Sequence, residues 1–90
     1  MYTIVNFVFR ALLLVWGVPS IPKHRRALGE AIRNSRKQAE LTQEMLAEKT
    51  GLSVVFISLL ENGHRTVSVD ALLRIAKALG VRGRDLIDKL

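Results

Sequence analysis

The stretch that most constrains the fold runs from residue 42 to residue 63, where two short apolar segments flank a turn. Thr42 precedes the first segment and Ser53 the second, and a hydroxyl at such a position accepts a backbone N–H from the first helical turn. Gly51, after the first segment, suits the positive φ of a helix C-terminus. We also expect too little space for a larger side chain at Ala47 and Gly51. Four apolar residues lie where two crossed helices would share a core: Leu46, Leu52, Ile57 and Leu60.

The helical pattern continues on both sides of this pair, and no alternating strand pattern occurs from residue 23 onward. Leu28 and Ile32 lie one turn apart on the buried face of a first helix. Ser68 can cap a later helix that ends at Gly80. The predicted helices cover residues 23–39, 43–50, 54–62, 69–79 and 84–90. The sequence therefore predicts an all-α domain of short helices, and the pair joined by a turn with glycine is a helix-turn-helix unit.

Composition narrows the class of protein and the kind of site. The chain has 90 residues, enough for one domain with a small core. It has no cysteine, and His24 and His64 stand far apart, so we expect no disulfide, no metal site and no cofactor. Neither histidine pairs with a carboxylate at a useful spacing, and there is no glycine-rich phosphate loop, so we expect no enzyme. The net charge of +6 suits an anionic partner.

Residues 1–22 differ from the rest of the chain, because residues 2–18 are largely apolar. Arg10 would lie inside the bilayer if this segment crossed a membrane, and Pro19 and Pro22 mark a boundary after it. Four interpretations remain open: a disordered or loosely packed extension, an ordered arm on the domain or on a second copy, a membrane anchor, and a cleaved signal. We treat residues 1–22 as an extension rather than a membrane contact, and residues 23–90 as a cytoplasmic domain.

Five blocks of the sequence resemble the Cro/C1-type helix-turn-helix family, whose members include the lambda repressor and Cro. The blocks are LTQ with LA in residues 41–47, GLS at 51–53, IS at 57–58, ENG at 61–63 and LLRIAKALGV at 72–81. The resemblance runs from Leu28 to Leu90, about two-thirds of the chain. It implies a five-helix lambda-repressor-like fold and a DNA-binding transcriptional regulator of the repressor type.

The resemblance also implies where DNA would be contacted. In this family the second helix of the pair lies in the major groove, and the start of the first helix meets the phosphate backbone. Gln43 matches the family's backbone-contacting glutamine, and its amide can donate to a phosphate oxygen together with the N–H groups of the helix start. Asn62, His64 and Arg65 follow the second helix and resemble a second phosphate contact.

Two further features of the family have counterparts here. Arg36 and Glu61 match a partly buried ion pair that ties the first helix to the recognition helix. A homodimer is also implied, because the family reads two half-sites about 34 Å apart. The candidate dimer surface is Val81, Ile87 and Leu90, and we expect neighbouring Leu86 to close the monomer's own core instead.

The recognition helix departs from the family at positions that usually carry polar base-reading residues, which here are Val54, Val55, Phe56 and Leu59. Ser53 and Ser58 are the polar groups left near the groove, and we expect Phe56 to pack toward the core. Two interpretations remain open. The helix reads thymine methyl groups and DNA shape, or the apolar face of Val54, Val55 and Leu59 meets a protein.

These observations predict a sequence-specific regulator that binds double-stranded DNA as a homodimer on an operator. The alternative is a protein-interaction module, antitoxin-like or membrane-tethered, that uses Val54, Val55 and Leu59 as its contact face.

Overall fold

The computed structural model describes residues 20–90, so the predictions that concern residues 1–19 lie outside the described residues. Residues 20–90 are all-α, as the sequence predicted. The helices are α1 (Lys23–Gln38), α2 (Gln43–Thr50), α3 (Val54–Glu61), α4 (Val69–Leu79) and α5 (Gly83–Ile87). The predicted limits of the first four helices are therefore correct to within one residue.

The predicted N-terminal caps of α2, α3 and α4 are confirmed. In each case the side-chain hydroxyl accepts the backbone N–H three residues further along the chain. The oxygen-to-nitrogen distances are 3.1, 3.0 and 3.1 Å for Thr42, Ser53 and Ser68. These bonds fix where each helix begins, because they occupy N–H groups that have no partner inside the helix.

Gly51 ends α2 with a φ of 72°, which confirms the predicted left-handed C-terminus. The expectation of crowding at Gly51 is wrong. A Cβ built there would have Arg74 Nη1, at 4.0 Å, as its nearest neighbour. Backbone conformation, and not lack of space, therefore favours glycine between α2 and α3. Ala47 is buried in the core, as expected.

The last helix is shorter than predicted, since α5 covers Gly83–Ile87 and not residues 84–90. It begins where a carboxylate oxygen of Asp85 accepts the backbone N–H of Arg82 at 3.1 Å. Leu90 is 55% exposed, so the chain beyond α5 has no core contact that would continue the helix.

The core is formed where α1, α2, α3, α4 and α5 meet. Six large apolar side chains in it are almost completely buried: Ile32, Leu46, Ile57, Leu60, Ile75 and Leu86. The expected core role of Leu86 is confirmed. Leu28 and Leu52 are partly buried and pack against this cluster from its edge.

Gly29 lets α1 and α3 come into close contact. A Cβ at residue 29 would lie 2.5 Å from the carbonyl oxygen of Leu60 and 2.6 Å from that of Glu61. Both atoms are backbone, so they cannot move aside as a flexible side chain could. The α1 backbone therefore rests directly on the end of α3.

The residues before α1 contact the domain. The carbonyl of Pro22 accepts the N–H groups of Arg25 and Arg26 at 3.0 and 3.2 Å. A Cβ built on Gly63 would be 3.0 Å from the side chain of Ile21, so Ile21 lies against the turn after α3. Within residues 20–90 no helix is long and apolar enough to cross a membrane.

Candidate nucleic-acid interface

A buried carboxylate fixes the C-terminal end of α3. Glu61 is 1% exposed, and its two carboxylate oxygens accept hydrogen bonds from Arg36 Nε at 2.7 Å and Arg36 Nη2 at 3.0 Å. The remaining terminal nitrogen of Arg36 donates to the Leu41 carbonyl at 2.8 Å. This fork-to-fork arrangement is the strongest geometry available to such a pair. It ties α3 to α1 and to the loop before α2.

The start of α2 joins the same carboxylate. Gln43 Nε2 donates to Glu61 Oε1 at 3.0 Å, so one amide N–H of Gln43 is used inside the domain. The sequence suggested that this amide donates to a phosphate oxygen. In the structure the amide has one further N–H that is able to donate. The contact fixes the position of Gln43 relative to α3, which limits the geometry of any phosphate contact.

Arg33 is a residue that the sequence analysis did not place in the site. Its Nη2 donates to Asn62 Oδ1 at 2.7 Å, and its Nε lies 3.5 Å from Glu61 Oε1. Asn62 in turn donates from Nδ2 to the Ser58 carbonyl at 2.8 Å. Asn62 is exposed, but its amide is already hydrogen-bonded on both sides, so its position is fixed. The half-buried guanidinium of Arg33 stands beside Asn62 as a further cation.

His64 and Arg65 are exposed and follow α3 directly. The backbone N–H of His64 donates to the Leu59 carbonyl at 2.9 Å, and that of Gly63 donates to the Leu60 carbonyl at 3.1 Å. These bonds attach the loop to the last turn of α3. The structure thus brings Asn62, His64 and Arg65 to the same end of α3 as the Gln43 contact.

The opposite end of α3 presents an apolar first turn. Val54 is 37% exposed and Val55 is 68% exposed. The hydroxyl of Ser53 is exposed and caps the helix, whereas Ser58 and Leu59 are partly buried. The expected packing of Phe56 against the core is present. The accessible surface of the first turn is therefore formed by Val54, Val55 and the Ser53 hydroxyl.

The electrostatics of the site centre on the ion pair. Burial alone raises the pKa of Glu61. The hydrogen bonds from Arg36 and Gln43, with the nearby guanidinium charges, outweigh burial and hold the pKa of Glu61 below its ordinary value. The hydrogen bond from Arg36 to Glu61 raises the pKa of Arg36. The pair is therefore charged at neutral pH.

The three residues predicted at a dimer surface differ in exposure. Ile87 is 48% exposed and Leu90 is 55% exposed. Val81 is partly buried and packs against the core of its own monomer, so it offers less surface to a partner. Leu73 of α4 is 54% exposed and lies against Gly83, the first residue of α5.

Helices α2 and α3 are joined by the turn at Gly51, and α1 and α4 pack against them. This arrangement defines a helix-turn-helix protein. Residues 32–86 match the family model described as Helix-turn-helix. The chain belongs to this family, in the Cro/C1-type branch that the sequence blocks indicated. It is a family of DNA-binding transcriptional regulators and not of enzymes.

The relatives include regulators from several bacteria. Control protein C.BamHI of Bacillus amyloliquefaciens is 40% identical over 65 residues, which are 71% of this chain and 80% of that protein. The crystal structure of the clp gene regulator ClgR from C. glutamicum has a TM-score of 0.73 at 33% identity, covering 80% of this chain and 92% of that one. The restriction-modification controller protein C.AhdI from Aeromonas hydrophila has a TM-score of 0.66 at 34% identity, covering 68% and 92%.

Proposed function

We propose that residues 20–90 bind double-stranded DNA as a transcriptional regulator, with the first turn of α3 in the major groove. The observation that carries this proposal is the asymmetry of α3. Its C-terminal end is fixed by the buried Glu61, whereas its first turn is exposed at Val54 and Val55. A helix held at one end and exposed at the other can enter a groove without reorganising the domain.

The phosphate backbone would be contacted by residues near the C-terminal end of α3. Gln43, Asn62, His64 and Arg65 keep the roles that the sequence analysis gave them, and Arg33 joins them beside Asn62. Hydrogen bonds within the domain set the side chains of Gln43, Asn62 and Arg33, so ordering these three on binding costs little conformational entropy. Contacts of this kind fix orientation and affinity, but they carry no sequence information.

The regulator would act as a homodimer that occupies an operator. One small module buries about 600–1,000 Å² of protein surface on DNA, and two modules related by a two-fold axis double that area. Ile87 and Leu90 are the exposed apolar residues for this contact, with Val81 contributing its exposed part. A second copy of the chain is the partner that the family's mode of action favours.

The experiment that tests DNA binding is a titration of the full chain against a random-sequence duplex at two salt concentrations. With about four to six phosphate contacts, affinity falls by about 10²–10³-fold between 50 and 200 mM salt, because bound counterions are released. No duplex binding at 50 mM salt would contradict the proposal. That result would favour the alternative of a protein-interaction module.

A further inference from the structure

The proposed DNA binding leaves open what α3 recognises in the groove, and the inference below rests on that binding. Polar side chains that form bidentate hydrogen bonds with guanine or adenine do not occur in the first turn of α3. The Ser53 hydroxyl accepts the Phe56 N–H at 3.0 Å as a helix cap, which leaves it one O–H donor and no bidentate geometry. The chemistry of this turn is therefore mainly that of the methyl groups of Val54 and Val55.

Valine is well suited to a fixed apolar contact. Its branched Cβ leaves one strongly preferred rotamer in a helix, so its two methyl groups have a defined direction and lose little entropy when covered. Val55 is 68% exposed and Val54 is 37% exposed, so most of the surface available for a new contact is on Val55.

The major groove offers such a side chain one kind of apolar partner, the methyl group on C5 of a pyrimidine. Thymine carries this group, and the other base edges in the groove present hydrogen-bond donors and acceptors. A valine placed over a donor or an acceptor removes its water and gives no hydrogen bond in return, which is unfavourable. The valines therefore favour a methylated pyrimidine over every other edge.

Charge distinguishes DNA from an apolar protein partner as the occupant of this face. From residue 23 onward the chain has thirteen Lys or Arg and eight Asp or Glu, a difference of +5. The acidic side chain on α3 itself is Glu61, which is buried and paired with Arg36. Arg33 and Arg65 stand at the C-terminal end of the same eight-residue helix, so α3 presents an apolar first turn at one end and cations at the other. This arrangement fits a partner that offers apolar atoms and anionic groups within the length of a short helix, as a groove with thymines and phosphates does.

We propose that Val55, assisted by Val54, selects operator sites by contacting pyrimidine C5-methyl groups. What is read is the methyl group and not the hydrogen-bonding pattern of the base, so thymine and 5-methylcytosine are favoured alike over uracil and cytosine. Cytosine methylation within the contacted positions then raises affinity for the regulator.

The test begins with selection of binding sites by the full chain from a random duplex pool at low salt. The best site is synthesised with each thymine replaced singly by deoxyuridine, which removes the methyl group and keeps every hydrogen bond. Affinity is expected to fall about fourfold for each contacted methyl group. Placing 5-methylcytosine instead of cytosine at a contacted position is expected to raise affinity by the same factor.

A matched pair of variants assigns the effect to α3. Val55→Ala removes most of the apolar surface of this turn, and in this variant the preference for thymine over uracil should fall well below fourfold. Val69→Ala is the control, because Val69 is 71% exposed in the first turn of α4 and has the same side chain. Val69→Ala should keep the fourfold preference of the wild type.

The outcomes separate this inference from the proposed function. If a duplex binds with the same affinity whether thymine or uracil stands at each position, the recognition of methyl groups is overturned. DNA binding itself would then remain. The same preference in Val55→Ala as in the wild type would overturn the role of Val55. Failure to bind any duplex at 50 mM salt would overturn DNA binding itself and favour a protein on this face.

Discussion

Arg36 Nε and Glu61 Oε2 lie 2.7 Å apart, and the carboxylate side chain of this pair is completely shielded from solvent. The two residues are 25 positions apart in the chain, on α1 and on the last turn of α3. Because Gln43 at the start of α2 donates to the same carboxylate, one side chain fixes the relative positions of α1, α2 and α3. The exposure of the first turn of α3 depends on this arrangement.

Arg36→Ala should strongly destabilise the domain. It leaves the buried charge of Glu61 without its main partner, and breaking such a pair costs about 3–5 kcal/mol in the free energy of unfolding. Urea unfolding followed by circular dichroism measures the change. Arg33→Ala is the control, since its side chain is 35% exposed and its loss should cost under about 1 kcal/mol. Equal losses in the two variants would contradict the central role of the Arg36–Glu61 pair.

Stability should fall in acid because the pKa of Glu61 is lowered in the folded state. A group of this kind contributes stability above its unfolded-state pKa, here near the ordinary value of 4.5, and the contribution is lost as pH falls through the folded-state pKa. Urea midpoints measured from pH 7 to pH 3 follow this loss. In Glu61→Gln the decline below pH 4.5 should be shallower, whereas the exposed Glu48→Gln should follow the wild type. An unchanged decline in Glu61→Gln would refute the assignment.

Gly29→Ala should destabilise the domain, although replacing glycine by alanine inside a helix ordinarily stabilises it by about 1 kcal/mol. The new Cβ would meet two backbone carbonyl oxygens of α3 at 2.5 and 2.6 Å, so α1 and α3 must separate. We expect a loss of about 1–3 kcal/mol, typical of an overpacked core, in the free energy of unfolding by urea.

Gly80→Ala provides the comparison for that variant. A Cβ at Gly80 has no neighbour within 4 Å, and its φ of 72° leaves a cost of about 1–2 kcal/mol from backbone strain. If α1 and α3 separate in Gly29→Ala, DNA affinity falls as well, because α3 changes position. In Gly80→Ala affinity should be retained. A Gly29→Ala variant as stable as the wild type would show that α1 and α3 are not in close contact.

The local structure was predictable because it depends on neighbours in the sequence. Thr42, Ser53 and Ser68 form their caps with amides three residues away, and Gly51 acts through its own φ angle. The bond from Arg33 to Asn62 spans 29 residues, and it depends on the angle between α1 and α3.

The other features of the structure that the sequence did not predict also depend on contacts between helices. Apolar periodicity shows which face of a helix is buried, but it does not show which polar groups meet when helices cross. Three features therefore could not be predicted from the sequence. They are the close contact of α1 with α3 at Gly29, the hydrogen bond from Gln43 to Glu61 and the early end of α5. The Arg36–Glu61 pairing was anticipated from a family resemblance and not from the spacing of these residues.

We propose that the domain begins at residue 21 and not at residue 23, because Ile21 lies against Gly63 and the Pro22 carbonyl accepts two N–H groups of α1. Removing residues 1–20 should leave both stability and duplex affinity unchanged. Removing residues 1–22 should lower the free energy of unfolding by about 1 kcal/mol, from the loss of a partly buried isoleucine. Urea unfolding and fluorescence anisotropy of both truncations test this, and identical stabilities would place the boundary at residue 23 instead.

Arg65→Ala and Val55→Gln should change DNA binding in different ways. Arg65→Ala removes a phosphate contact, so it weakens binding to every sequence and makes the slope of log K against log salt shallower by about one. Lys77→Ala removes the same charge from an exposed position on α4 and should leave the slope unchanged. Val55→Gln introduces an amide able to read adenine, so selected sites should change in sequence. The same selected sites for Val55→Gln and the wild type would contradict the groove assignment.

In the proposed complex the duplex meets α3 at its first turn and at the loop that follows it. The most direct measurement is amide chemical-shift mapping of ¹⁵N-labelled full chain titrated with a 20-base-pair duplex at 50 mM salt. We expect the largest shifts at residues 43, 53–55 and 62–65, with small shifts in the buried core of α4. Large shifts elsewhere without shifts at residues 53–55 would contradict this binding mode. The absence of any shift would contradict DNA binding as well.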